Sequence, residues 1–298
     1  MSHLKQADSP TAEANSPPAE RRVVLLTALV AASMILAATW VVITSPKSPD
    51  SGAPTSTTVP TPPQYPLGVI NSAEPSGVGP MLADAIPGFV QSYVNDFSGS
   101  VLPSGWYLFT GVPGGDPTGH FSAAHVVVSN GLLELNAWKD PAFHNRWVTG
   151  GLCLCGRPQT YGAYFVRSRQ TGSGPNEVEL LWPEDNSWPP EIDFNETGGA
   201  SFATSATVHW TIANHLIQSS LAVNLGQWHT WGVIWTPDAV KYTLDGRVWA
   251  SDTLRDSIPG QPMTLDFEQR TVCNPLTQCP RRPTSLLIDW VTTYSIAH

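Results

Sequence analysis

From residue 89 onward the chain is written in short alternating runs, and this pattern restricts its fold more than any other feature. "AAHVVVSNGLLELNAW", "TYGAYFVRSRQ", "TSATVHWTI", "QWHTWGVIWTP" and "AVKYTLDGRVWAS" each alternate apolar and polar residues over a strand's length and stop at turn residues. A period of two marks a strand with one buried face. Asn130-Gly131 and Asp245-Gly246 interrupt two of these runs, and both dipeptides favour tight hairpin turns. No segment beyond 88 keeps helical spacing for the length of a helix. Pro (28) and Gly (24) are plentiful, which favours an all-β domain over a helical bundle. The 89–298 segment is therefore expected to form a β-sandwich or barrel.

The first third is built differently. Residues 1–22 are polar, end in Arg21 and Arg22, and are expected to be a cytoplasmic tail. "VVLLTALVAASMILAATWVVI" follows over 23–43 without a charge, about the length that spans a bilayer as a helix. Lys5, Arg21 and Arg22 precede it and only Lys47 follows closely, so the positive-inside rule leaves the bulk of the chain outside. A cleaved signal peptide is the competing reading, although its apolar region is normally shorter. Either way the chain is exported. Residues 44–88 are expected to be a disordered linker: 44–66 is rich in Pro, Ser and Thr, which cannot bury a core, and 67–88 is ambiguous, with loose packing on the domain as the alternative.

The formal charge of −9 and the lack of a basic patch exclude nucleic acid as a partner. Twelve tryptophans are more than a core of this size needs, and flat aromatic faces suit sugar rings. Cys153, Cys155, Cys273 and Cys279 lie in the exported part, where disulfides are permitted. Cys273 and Cys279 bracket a Pro-containing loop and are expected to pair. Cys153 and Cys155 sit two apart on a strand and face one side; they are either reduced or one of them bonds across to the 273–279 loop. No His or further Cys has the spacing of a zinc site with them.

"WPPEIDFNETGG" at 188–199 holds Glu191, Asp193 and Glu196 within what otherwise reads as a strand. Acids are depleted from strands and neighbouring like charges repel. Glu191 and Asp193 share a face, whereas Glu196 would point the other way on a regular strand. One extra residue in a bulge near Asn195 brings all three to one side. The two glutamates are then roughly 13 Å apart at the backbone. Leaning side chains would close their carboxyls to about the separation of a retaining glycosidase, where one acid attacks the sugar and the other is acid then base. Asp193 between them would share a proton with Glu191. A solvated edge or a calcium-binding face would show the same spacing. The flanks favour catalysis, because "EVELLW" and "WPPEIDFNE" look like antiparallel strands joined by 183–190.

The E-I-D-x-x-E run at 191–196 resembles the signature of glycoside hydrolase family 16, which includes laminarinase-type β-1,3-glucanases, lichenases, agarases and carrageenases. "VNDFSG" at 94–99, "HVVVSNGLLELNA" at 125–137, "WVTGGL" at 147–152, "QTYGAYFVRSR" at 159–169, "QWHTWGVIWTPD" at 227–238, "YTLDG" at 242–246 and "IDWV" at 288–291 agree in order. The resemblance covers about 92–298. It implies a two-sheet jelly-roll sandwich of the concanavalin A-like lectin and glucanase type, with a cleft on the concave face. By resemblance, Glu191 is the nucleophile, Glu196 the general acid/base and Asp193 the assisting acid, in the bulged, laminarinase-like form of the motif.

The same resemblance makes Trp147, Trp182 and Trp188 candidate sugar platforms, with core or loop packing as the alternative. His209 is expected to point into the cleft and Gln269 to bind a sugar hydroxyl. Glu268 is expected to be a surface charge, and Trp231 and Trp235 to be packing residues. No cofactor is required. A structural calcium is the optional ligand, for which Asp289 and the backbone near Asp96 and Gly131 are the candidates, against a buried Asp serving its own strand. Many relatives carry Trp-Pro where this chain has Val178-Glu179, so one aromatic platform is expected to be missing here. Asn195 is polar at a position often apolar.

The expected function is that of a retaining endo-glycosidase, membrane-anchored or secreted, acting as a monomer on a β-linked polysaccharide such as a β-1,3-glucan. A non-catalytic carbohydrate-binding module and an envelope-remodelling transglycosylase are the rivals.

Overall fold

The computed structural model describes residues 64–271 and 280–297. The expected tail, the apolar segment 23–43, the first part of the linker, and Cys273 and Cys279 lie outside them. Among the described residues no helix is long and apolar enough to cross a membrane.

Strands follow the alternating runs. They are β1 (Val69–Ile70), β2 (Val78–Gly79), β3 (Phe89–Asn95), β4 (Tyr107–Leu108), β5 (Val126–Ser129), β6 (Leu132–Asp140), β7 (Arg146–Val148), β8 (Gly151–Cys153) and β9 (Gly162–Gln170). There follow β10 (Asn176–Pro183), β11 (Glu191–Glu196), β12 (Ala203–Trp210), β13 (His215–Ala222), β14 (His229–Thr236), β15 (Ala239–Leu244), β16 (Arg247–Asp252), β17 (Met263–Arg270) and β18 (Thr284–Ile296). Three single-turn 3-10 helices are the other regular elements described. Both sequence-marked turns are two-residue hairpins: Ser129 pairs with Leu132 and Leu244 with Arg247. Asn130, Gly131, Asp245 and Gly246 all take positive φ, as that turn requires.

Seven strands form one sheet in the order β13-β12-β11-β10-β17-β8-β4. The second sheet runs β16-β15-β14-β9-β18-β6-β5, with β3 beside β18 and β7 beside β6. Their inner faces meet in one core. Leu181, Ile192, Phe194, Leu265 and Phe267 come from the first sheet; Leu133, Leu135, Tyr164, Val166, Val233 and Ile288 come from the second. Trp231 and Trp235 are fully buried, as packing residues should be. The all-β two-sheet sandwich expected from the sequence is thus the fold observed.

The linker expected over 44–88 is corrected at its C-terminal end. Residues 64–88 belong to the sandwich domain and cover the outer face of its larger sheet. Met81 and Ile86 pack there on Ala163, Phe165, Ile234, Trp290 and Tyr294. The backbone is tied down as well: Trp290 Nε1 donates to Val78 O at 2.7 Å and Tyr294 Oη to Leu82 O at 2.7 Å. The short β1–β2 ribbon lies within this segment. Its small, dispersed apolar residues carry no periodicity, so their burial was not legible.

A second correction concerns the cysteines. Cys153 and Cys155 are bonded to each other, with Sγ–Sγ 1.94 Å. They are neither reduced nor joined to the 273–279 loop. Cys153 ends β8 and Cys155 lies in the turn beyond it, so the second sulfur is free to swing back onto the first.

Candidate active site

Strand β11 sits mid-sheet between β10 and β12. Its register with β12 shows how three acids reach one face. Glu191 lies opposite His209, Asp193 opposite Thr207 and Glu196 opposite Ser205. Three steps along β11 therefore match two along β12, which is a bulge. The register with β10 locates it: Leu180 faces Asp193 and Glu179 faces Asn195, leaving Phe194 without an opposite number. His209, Thr207 and Ser205 alternate regularly, so their partners share one side. Ile192 and Phe194 turn the other way, into the core. The expected bulge and the expected common face are both present.

Burial first, and then neighbouring negative charge, holds Glu191 and Asp193 away from full ionisation. Burial, then the neighbouring Asp193, pushes the Glu191 carboxyl up to about 8; the Trp188 indole N–H, donated to Glu191 Oε2 at 2.7 Å, opposes this. Burial also raises Asp193, against the pull of His209, whose Nε2 lies 3.4 Å from Asp193 Oδ2. Burial pulls His209 down, but Asp193, Asn214 and Glu191 outweigh it and carry the imidazole up to about 9. His209 Nδ1 lies 2.7 Å from Asn214 Oδ1. At neutral pH the imidazole thus bears a proton, and Glu191 and Asp193 do not both carry a full negative charge. Glu196 is more exposed and accepts from Asn176 Nδ2 at 2.9 Å; Asn176 Oδ1 in turn accepts from Gly198 N.

A cleft of about 590 Å³ opens beside Glu191. Trp182 and Trp188 line it, as do Asp266, Glu268 and Arg270 from β17. Trp182 donates its indole N–H to Asn186 Oδ1 at 3.1 Å. The Trp188 ring is 42% exposed, the largest such value among the described tryptophans, with its centroid 6.2 Å from that of His209. Both rings are available as platforms, and His209 faces the acids.

One expected sugar contact is corrected. Gln269 is fully buried between the sheets, where its Nε2 donates to Glu177 Oε1 at 3.0 Å. Trp147 lies on β7, paired opposite Lys139 of β6, and is not among the residues lining the cleft. Glu268, expected as a surface charge, lines the cleft and sits 3.1 Å from Arg270 Nε. Strand β17 alternates, so Leu265, Phe267 and Gln269 go inward while Asp266, Glu268 and Arg270 face the cleft. Arg270 is the cation in the field of Glu268, Asp193, Glu196 and Glu191. It was missed in the sequence, although taking Leu265 and Phe267 as inward would have revealed it.

Hard-cation donors occur where the sequence suggested calcium. Asp289 is fully buried, accepts from Ser76 N at 3.0 Å through Oδ2 and leaves Oδ1 without a partner. Burial raises its carboxyl, and Asp96 adds to this. Glu74 is raised by burial and by the same two aspartates. Pro75, between Glu74 and Ser76, packs on Gly131. This oxygen-only set of mutually repelling carboxylates fits calcium. At the cleft, donor atoms of Glu191, Asp193 and His209 also lie within 4.8 Å of one another; there His209 Nε2 and Asp193 Oδ2 already face each other as an ion pair.

The model of the family described as "Glycosyl hydrolases family 16" matches residues 118–275. Two curated relatives are the Endo-1,3-1,4-beta-glycanases ExsH and EglC of Rhizobium meliloti, each 29% identical over 144 residues. That alignment takes in 46% of this chain and 31% of the relative, so the chain spans about a third of their length. The laminarinase catalytic domain of Thermotoga maritima superposes with a TM-score of 0.63 at 17% identity, covering 70% of this chain and 99% of that one. The laminarinase of Rhodothermus marinus gives 0.63 at 19%, covering 70% and 98%.

Proposed function

The chain belongs to glycosyl hydrolase family 16, and from that premise we propose that it is a retaining endo-β-glucanase of the bulged, laminarinase-like subgroup, acting on a β-1,3-glucan. The observation that carries this reading is the bulge of β11, which turns Glu191, Asp193 and Glu196 to one side of the sheet, with a cleft opening beside Glu191. The curated relatives, named as endo-1,3-1,4-beta-glycanases, support endo-action on a β-linked glycan, and the laminarinase neighbours share the fold.

Glu191, as carboxylate, attacks the anomeric carbon while Glu196 gives its proton to the departing sugar oxygen. Water then enters, Glu196 takes its proton, and the glycosyl–Glu191 ester is hydrolysed with net retention. Asp193, held by His209, takes up the proton that Glu191 must not carry as it attacks. Trp182 and Trp188 stack on the sugar rings. Calcium held by Asp289, Asp96 and Glu74 would fasten the 64–88 segment to the outer sheet, away from the acids. The domain works as a monomer outside the cell, tethered through 23–43 and the linker or released by cleavage.

The test is product analysis on β-1,3-glucan, mixed-linkage glucan, agar and carrageenan, with Glu191→Ala as the blank. Short oligosaccharides from β-1,3-glucan, absent in the blank, are expected. Products longer than supplied oligomers would replace hydrolysis by transglycosylation. Silence on every substrate from folded protein would leave a binding module.

A further inference from the structure

Opposite Asp266, at the end of β8, the cleft wall contains sulfur. Cys153 and Asp266 are cross-strand partners, and the turn brings Cys155 back to close the disulfide. Both sulfurs and an Asp266 carboxylate oxygen lie within 4.8 Å of one another. Cys155 is exposed and lines the cleft, whereas Cys153 is 2% exposed.

We propose that this disulfide is a thiol-exchange site, at which a small uncharged thiol entering the cleft bonds to Cys155 and closes the glycan path. The attacking thiolate meets Cys155 Sγ, the only one of the two sulfurs within reach. The Cys153–Cys155 bond breaks, its electron pair leaves on Cys153 Sγ, and the new bond joins the small thiol to Cys155. A buried thiolate is a poor leaving group, so the step needs a proton donor beside Cys153.

Asp266 supplies that proton and regains one from solvent, equal to the one lost when the small thiol ionised. Burial raises its carboxyl well above the ordinary range, against the Thr264 hydroxyl that donates to Oδ1 at 2.8 Å; Glu268 and Glu191 add to the rise. Arg270 is the one cation among the residues lining the cleft and is engaged by Glu268 at 3.1 Å, so a thiol that also carries a carboxylate finds no free counter-charge there. A bond between residues two apart closes a very small ring and constrains the unfolded chain little. Strand β8 stays held by its ladders to β17 and β4, so opening the bond leaves the sandwich standing. The blocking of the glycan path rests on the glucanase reading; the exchange does not.

The full chain is treated with 2-mercaptoethanol at neutral pH without denaturant, trapped with iodoacetamide, and mapped by peptide mass. The adduct is expected on Cys155 and the alkyl group on Cys153, with glucan cleavage lost in proportion; in a sample left unalkylated, dialysing away the free thiol should let Cys153 displace it from Cys155 and restore cleavage. Asp266→Asn should slow the exchange about tenfold or more. An adduct that forms only after denaturation, or on Cys153, overturns the proposal. So does exchange at the wild-type rate in a folded Asp266→Asn chain; should that variant not fold, the wild-type map decides. A chain that forms the adduct yet cleaves no glycan would sink the glucanase reading and leave the exchange site standing.

Discussion

Trp188 donates its indole N–H to Glu191 Oε2 at 2.7 Å, a bond that favours the ionised carboxylate. Trp188→Phe keeps a ring in the cleft but removes this donor. The ascending limb of kcat/KM against pH should then move up by about one pH unit. A limb that stays put, in a variant of unchanged KM, would remove Glu191 as the ionisation seen there.

The acids should separate by leaving group. Glu191→Ala is expected to lose hydrolysis of every substrate, by several orders of magnitude. Glu196→Ala should keep measurable turnover of aryl glycosides, whose leaving groups need no proton, while losing polysaccharide cleavage. Equal loss on both substrates in both variants would dissolve the division of roles.

Behind the catalytic strand, Glu177 and Glu179 are fully buried between the sheets. Burial pushes each up to about 8; the Gln269 amide opposes this at Glu177 and the Ser168 hydroxyl at Glu179. Between about pH 4.5 and 8 the folded chain holds protons that the unfolded chain has released. Their contribution is therefore whole below about 4.5 and is lost as pH rises through 8, on the order of 1 kcal/mol per pH unit for each group. Glu179→Gln should flatten this slope, raising Tm relative to wild type at pH 8 more than at pH 5. Parallel Tm curves from calorimetry would show that the carboxyl ionises without cost.

His209 should stay protonated through pH 8, because its imidazole is carried up to about 9. Asp193→Asn removes the partner at 3.4 Å and should return its titration toward about 6.5. Imidazole nitrogen shifts in NMR read this directly. An unchanged midpoint would mean that Asn214 and Glu191 alone hold the proton.

What the sequence revealed depended on whether hydrophobic alternation survived locally. It survives along β6, where Leu133, Leu135 and Ala137 are buried in turn, and in the spacing of Glu191, Asp193 and Glu196, whose bulge follows from counting residues. It fails at "NEVELLW" and "DFEQR". In both, polar side chains go inward: Glu177 and Glu179 in one, Gln269 in the other, while Val178 belongs to the opposite phase. A strand covered by a core on one face and lined by a cleft on the other offers no clean period of two. Glu268 and Gln269 were exchanged for that reason.

Because β11 is bulged at Phe194 and Asn195, it has two workable lengths. Removing one residue at that point would return it to strict alternation with all three acids still on one face. Removing one between Glu191 and Asp193 would send Glu191 into the oil of the interior. Changes of length in this strand are thus survivable at a single spot, and insertions or deletions in any lineage that keeps these acids should be confined to it.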